Sequence, residues 1–143
     1  MIKGYRISSD HREMNVKSIH GFISQSYWAK DIPFETLTKA IDNSLCFGLF
    51  DNEGSQVGFA RMITDRATYA YLADVYVLQD HRGKGLSKWL MQEIMSHPDL
   101  QGLRRMTLAT MDAHGLYKKY GFTELANPTT FMENWNPDVY SKE

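Results

Sequence analysis

Residues 71–90, "YLADVYVLQDHRGKGLSKWL", hold an apolar run, a glycine-rich break and the start of a helical pattern, and the way these are joined decides the architecture. The run "YLADVYVL" is rich in aromatic and β-branched residues, which favours a strand. After the break, Leu86, Trp89, Leu90 and Ile94 recur on one helix face, and that helix must stop at or before His97 because Pro98 follows. Further on, "RRMTLAT" (104–110) reads as another strand. Two strands joined through a helix are parallel neighbours, so the break lies at the carboxyl end of a central strand.

Working outward, the strand of residues 68–78 follows two others, "LCFGLF" (45–50) and "QVGFARMIT" (56–64), which the turn "DNEG" folds into an antiparallel pair. Nearer the start, "KGYRIS" (3–8) is a short strand, and Val16, Ile19, Phe22, Ile23 and Tyr27 recur at helical spacing. Pro33 opens a second helix with Leu37, Ala40 and Ile41 on its apolar face, ending near Asn43. Towards the other end, Ala113, Leu116, Tyr117 and Tyr120 form a last helix, capped by Asp112 and closed by Gly121. "FTEL" and "TFMENW" suggest one or two short strands after it. The order β, α, α, β, β, β, α, β, α, β describes an α/β fold with a mixed sheet and helices on both faces.

The chain has 143 residues, the size of one domain able to bury a real core. Sixteen basic residues against seventeen acidic ones leave no broad electrostatic footprint for nucleic acid. Any anion site must be local. One cysteine, Cys46, within "SLCFGLF", excludes a disulfide framework and reads as core, consistent with a reducing compartment. Neither a leader pattern nor an apolar run of membrane length is visible, so a cytoplasmic protein without membrane attachment is expected. The five histidines and the cysteine lack metal-ligand spacing, so no metal is expected; no G-x-S-x-G elbow occurs.

The break itself asks for an anion. A strand that passes into a helix through "RGKG" aims backbone N–H groups of the loop and first helical turn at one spot, where the helix dipole adds positive charge. A side chain at Gly83 or Gly85 would hold a phosphate away or forbid the backbone angles. Neither the P-loop nor the dinucleotide fingerprint fits, because Leu86 follows Gly85 and Lys88 stands where a third glycine belongs.

R-x-x-G-x-G/A does fit Arg82 to Ser87, with Ser87 in place of the final small residue. This stretch, the strand before it and "HGLYKKYGF" (114–122) resemble the acyl-CoA-binding loop, fourth strand and last helix of the Gcn5-related N-acetyltransferases (GNAT). The resemblance covers most of the chain and is weakest over residues 1–43. It implies a GNAT-like, mostly antiparallel sheet with a splayed parallel strand pair, in a single acyl-CoA N-acyltransferase domain spanning 1–143. It implies acetyl-CoA as donor, a primary amine of a small molecule or peptide as acceptor, direct attack in a ternary complex, and a monomer or homodimer.

Residue by residue, the resemblance implies that the backbone of His81, Arg82, Gly83, Lys84, Gly85, Leu86 and Ser87 cradles the pyrophosphate, with charge from Arg82 and Lys84. The backbone of Val75, Tyr76 and Val77 would pair with the pantetheine arm and polarise the thioester carbonyl, while their side chains remain core. Tyr117 would return a proton to the departing thiolate, although it also falls on the apolar stripe of its helix. Asp74, an acid inside an apolar strand, is either the base for the amine or a structural group that caps a neighbouring loop or pairs with an arginine such as Arg61. His114, three residues before Tyr117, is a second candidate base, and water a third. Tyr27, Trp28 and Phe34 in "SQSYWAKDIPF" (24–34) would either wall the acceptor site or pack the helix pair. The rival function is a non-catalytic acyl-CoA sensor, in which aromatic side chains plug the acceptor cleft.

Overall fold

In the computed structural model, residues 1–141 are described, and they divide into two compact units, one ending at Ala109 and the other beginning at Thr110. The first unit holds all five strands: β1 (Tyr5–Ser8), β2 (Leu45–Asp51), β3 (Gln56–Thr64), β4 (Tyr69–Val77) and β5 (Arg105–Leu108). They lie in sequence order across one sheet, antiparallel from β1 to β4 and parallel between β4 and β5. This is the mixed, mostly antiparallel sheet the sequence indicates.

Helices α1 (Val16–Ile23), α2 (Phe34–Asp42) and α3 (Leu86–Ser96) surround it, α1 packing on α2 and β3, α3 on β2 and β4. The β2 segment Leu45–Phe50 is buried along its whole length, which explains its unbroken apolar run. On the α3 side, Leu49, Val57, Val77, Leu86 and Trp89 form one cluster, flanked by Ile2, Tyr5, Ile7 and Leu78. On the α1 side, Phe22 stacks on Tyr76 at 4.0 Å between centroids, and Tyr76 also meets Phe59.

Two boundaries differ from expectation. Tyr27 lies beyond α1: the Ser26 hydroxyl donates to the Ile23 carbonyl at 2.6 Å and accepts from the Ala29 N–H, so this serine turns the chain although the apolar spacing continues. Pro33 stands just outside α2 as its N-terminal cap, at the extended angles φ −62°, ψ 145°.

The second unit contains the short helix α4 (His114–Lys118), followed by Gly121 at φ +89°. The expected Asp112 cap is absent; Ala113 is the cap residue, and the Thr110 hydroxyl accepts from the N–H groups of Asp112 and Ala113. "FTEL" and "TFMENW" form no strand among the described residues. A 3-10 turn at Pro128–Thr130, tied by the Thr130 hydroxyl to the Asn127 carbonyl, interrupts them, and residues 123–135 are exposed on both alternating faces. Proline lacks the N–H a ladder needs, and no buried face rewards the alternation.

Candidate active site

The centre of the site is an irregularity in β4. Phe59 pairs with Tyr76 but Arg61 pairs with Ala73, so Asp74 and Val75 together oppose the single residue Ala60. This is a β-bulge, and Asp74 adopts φ +57° within it. For a residue with a side chain such an angle costs about 1–3 kcal/mol, and aspartate is among the few that accept it. On the opposite edge, β5 accompanies β4 only from Tyr69 to Leu72. The stretch Ala73–Val77 thus continues past its last β5 partner, and the parallel pair splays where the bulge begins.

The bulge is pinned from below. Asp74 is buried, and its carboxylate accepts from Arg61 Nε at 2.8 Å through Oδ2 and from Trp28 Nε1 at 2.7 Å through Oδ1. Arg61 in turn donates from Nη1 to the Ser44 hydroxyl, which donates to the Ala40 carbonyl of α2. The arginine partner suggested as one alternative for Asp74 is therefore present. The Trp28 bond, across 46 residues of chain, has no signal in sequence spacing.

Beyond Val77 the ladder ends with the Leu78 N–H donating to the Val57 carbonyl, and one 3-10 turn over Gln79–His81 leads into the glycines. Gly83 and Gly85 sit at φ +82° and +81°, and a Cβ on Gly83 would point into open space. Gly85 is the N-terminal cap of α3 and provides no side-chain acceptor, so the first-turn N–H groups of that helix lack the usual cap. These features fit a phosphate-sized anion held by backbone donors. Arg82 spends Nε on the Val77 carbonyl at 2.8 Å, bracing the loop against the strand it leaves.

Tyr5, which sequence reasoning missed, fastens the same loop. Lys84 Nζ donates to the Tyr5 hydroxyl at 3.1 Å, and that hydroxyl lies 2.8 Å from His81 Nδ1. Nothing local in "KGYRIS" marks this role; the sheet brings the start of β1 to the end of β4.

Tyr27, Trp28 and Phe34 all keep substantial exposure. Tyr27 meets Trp28 edge to face at 5.1 Å, while Phe34 stands against His20, whose Nε2 binds the Ile32 carbonyl. Trp28 is anchored at its N–H yet 43% exposed, so it does not simply fill the α1–α2 core. In the second unit Tyr117 is buried and its ring meets Phe122 edge to face, whereas His114 is exposed. The shared helix face expected for these two does not give them a shared environment. Cys46 is buried, and burial pushes its thiol up to about 12, which leaves it neutral and a poor acyl carrier.

Comparison with known proteins agrees with this geometry. The family described as "Acetyltransferase (GNAT) domain" matches residues 42–124. A candidate acetyltransferase of Gibberella zeae is 36% identical over 137 residues, covering 80% of this chain and 76% of that protein. The crystal structure of a candidate GNAT-family acetyltransferase from Xanthomonas campestris pv. campestris is 52% identical, covers 99% of this chain and 100% of that one, and superposes with a TM-score of 0.95. The N-acetylglutamate synthase of Neisseria gonorrhoeae, solved with coenzyme A and N-acetylglutamate, has the same fold over 87% of this chain and 29% of its own, with a TM-score of 0.70 at 17% identity.

Proposed function

Since the chain belongs to the GNAT family of acetyltransferases, we propose that it moves an acetyl group from acetyl-CoA to a primary amine by direct attack in a ternary complex. One observation carries this reading: a bulged, splayed strand edge runs directly into an uncapped glycine loop. The edge of Val75–Val77 offers backbone groups to an extended pantetheine arm as a further strand would. The loop from His81 to Ser87 offers N–H donors to the pyrophosphate, with Lys84 held nearby by Tyr5. Coenzyme A bound to the Neisseria gonorrhoeae synthase supports the same donor here.

The bulge turns the backbone at Asp74–Val75 away from the β3 ladder, so a donor there is available to the acyl oxygen. As the amine nitrogen bonds to the acyl carbon, the carbon–sulfur bond breaks, and the thiolate needs a proton. We assign that proton to Tyr117, on its motif and its buried phenol. His114, exposed at the start of α4, and water are the candidates to receive the amine's proton. The family match runs from residue 42 to 124, through the boundary at Ala109, which supports reading both units as one acyltransferase domain.

The test is thiol release from acetyl-CoA in the presence of spermidine, lysine, tyramine or a lysine-terminated peptide. Amine-dependent release, lowered about 100-fold in kcat by Tyr117→Phe with acetyl-CoA affinity retained, is the expected result. Acetyl-CoA binding without release with any amine would assign the chain to the sensor class instead.

A further inference from the structure

We infer that Asp74 is a positioning residue, and that with Arg61 it fixes Trp28 as the side chain that orients the acceptor amine. The inference rests on the acetyltransferase reading above and concerns how the acceptor meets the bulged strand.

A base that serves repeated turnovers must pass its proton on, yet both groups bonded to Asp74 are donors only: guanidinium and indole N–H have no acceptor to take it. The carboxylate is buried, with its side chain 5% exposed, and is matched by the 14% exposed side chain of Arg61. Removing either partner leaves an unpaired charge in the interior, so the pair is built to be permanent. Among the described residues no buried side-chain nitrogen or oxygen lacks a partner. The network is complete as it stands.

Its layout then explains why it is there. Trp28 lies in the connection between α1 and α2, Asp74 in the bulge of β4, Arg61 in β3, and Ser44 at the junction of α2 with β2. The 2.7 Å indole bond therefore ties the irregular segment 24–33 to the one residue of β4 held at a left-handed angle. The N–H edge of Trp28 is consumed by Asp74, Tyr27 meets its ring nearly perpendicular, at 85°, and the residue still keeps 43% of its surface exposed. An indole fixed at one edge and still partly exposed is a platform for an amine-bearing chain, and a flat ring suits an alkyl or ammonium group. A misplacement of this platform by about 1 Å lowers turnover by about 100-fold without removing any reacting group.

The experiment follows the indole N–H resonances of Trp28, Trp89 and Trp135 in the full chain, with Trp28→Phe identifying the first. Asp74→Asn and Arg61→Gln should each move the Trp28 signal while the other two stay in place. Addition of acetyl-CoA should move it in the wild type and not in Asp74→Asn, although calorimetry shows binding to both. With the best amine of the panel, Trp28→Phe and Asp74→Asn should lower kcat/KM for the amine by similar factors, leaving KM for acetyl-CoA and the shape of the pH–rate profile unchanged. If acetyl-CoA binds and the Trp28 resonance ignores it, the inference is wrong; if Asp74→Asn alone erases a limb of the pH profile, Asp74 is the base and the inference is wrong on that ground. Absence of acetyl-CoA binding in the wild type would instead overturn the proposed function.

Discussion

At the scale of single residues, two polar or reactive side chains inside the first unit have opposite meanings. Asp74 is fixed in the interior by donors that converge from Arg61 and Trp28, while Cys46 is held neutral chiefly by burial, with the Asp74 and Asp42 carboxylates adding to the effect and Arg61 opposing it. The thiol's raised value sets the sign of its contribution. Above the ordinary thiol range, near 8.5, the unfolded chain releases a proton that the folded chain keeps until about 12, so stability falls as pH rises through that window. Urea unfolding of wild type and Cys46→Ala should show the wild-type advantage shrinking by up to about 1.4 kcal/mol per pH unit there. A constant gap would mean that the thiol ionises in place. The sequence marked Asp74 as unusual, an acid within an apolar strand, and Cys46 as core, where it lies. It left Asp74 between two readings because a carboxylate's partners are fixed by tertiary structure.

At the scale of elements, the close approach of β3 to the bulged part of β4 depends on one glycine. A Cβ at Gly58 would lie 3.0 Å from the Tyr76 carbonyl oxygen and 2.9 Å from Leu49 Cδ2. The carbonyl cannot swing aside as a side chain would. Gly58→Ala should therefore cost about 1–3 kcal/mol and weaken acetyl-CoA binding, because relief requires β4 to shift where the donor arm is proposed to lie. Gly21→Ala is the contrast: the position is inside α1 with nothing within 4 Å of the added carbon, so it should stabilise the chain by up to about 1 kcal/mol without touching affinity. Thermal unfolding and calorimetry on both variants separate the two effects, and equal affinities would dissociate Gly58 from the donor arm. The strands were legible because apolar runs and turn residues are local signals. Ser26 and Asn127–Pro128 overrode the apolar periodicity at Tyr27 and in "TFMENW", since a side-chain hydrogen bond or a missing N–H decides a segment that packing leaves free. The bulge had no local signal except the acid at its centre.

At the scale of the whole molecule, near-neutral charge coexists with a local group of cations beside an uncapped helix start. The formal net charge is −1, yet Arg82, Lys84 and the first turn of α3 gather positive potential at the end of β4. That division was readable in the sequence, since "HRGKGLS" stands out from an evenly charged chain, and so was the family to which the chain belongs. The brace from Tyr5 and the bond from Trp28 were not, because only the folded sheet brings residues 76 and 46 positions apart into contact. We propose that the glycine loop and bulged strand together form a donor site for acetyl-CoA. Calorimetric titration of the wild type and of Gly85→Asp with acetyl-CoA, coenzyme A and ATP tests it most directly. Tight binding of both coenzymes to the wild type is expected, with ATP at least about tenfold weaker, a gap of about 1.4 kcal/mol, and loss of all three in a variant that remains folded. Undiminished acetyl-CoA affinity in folded Gly85→Asp would contradict it.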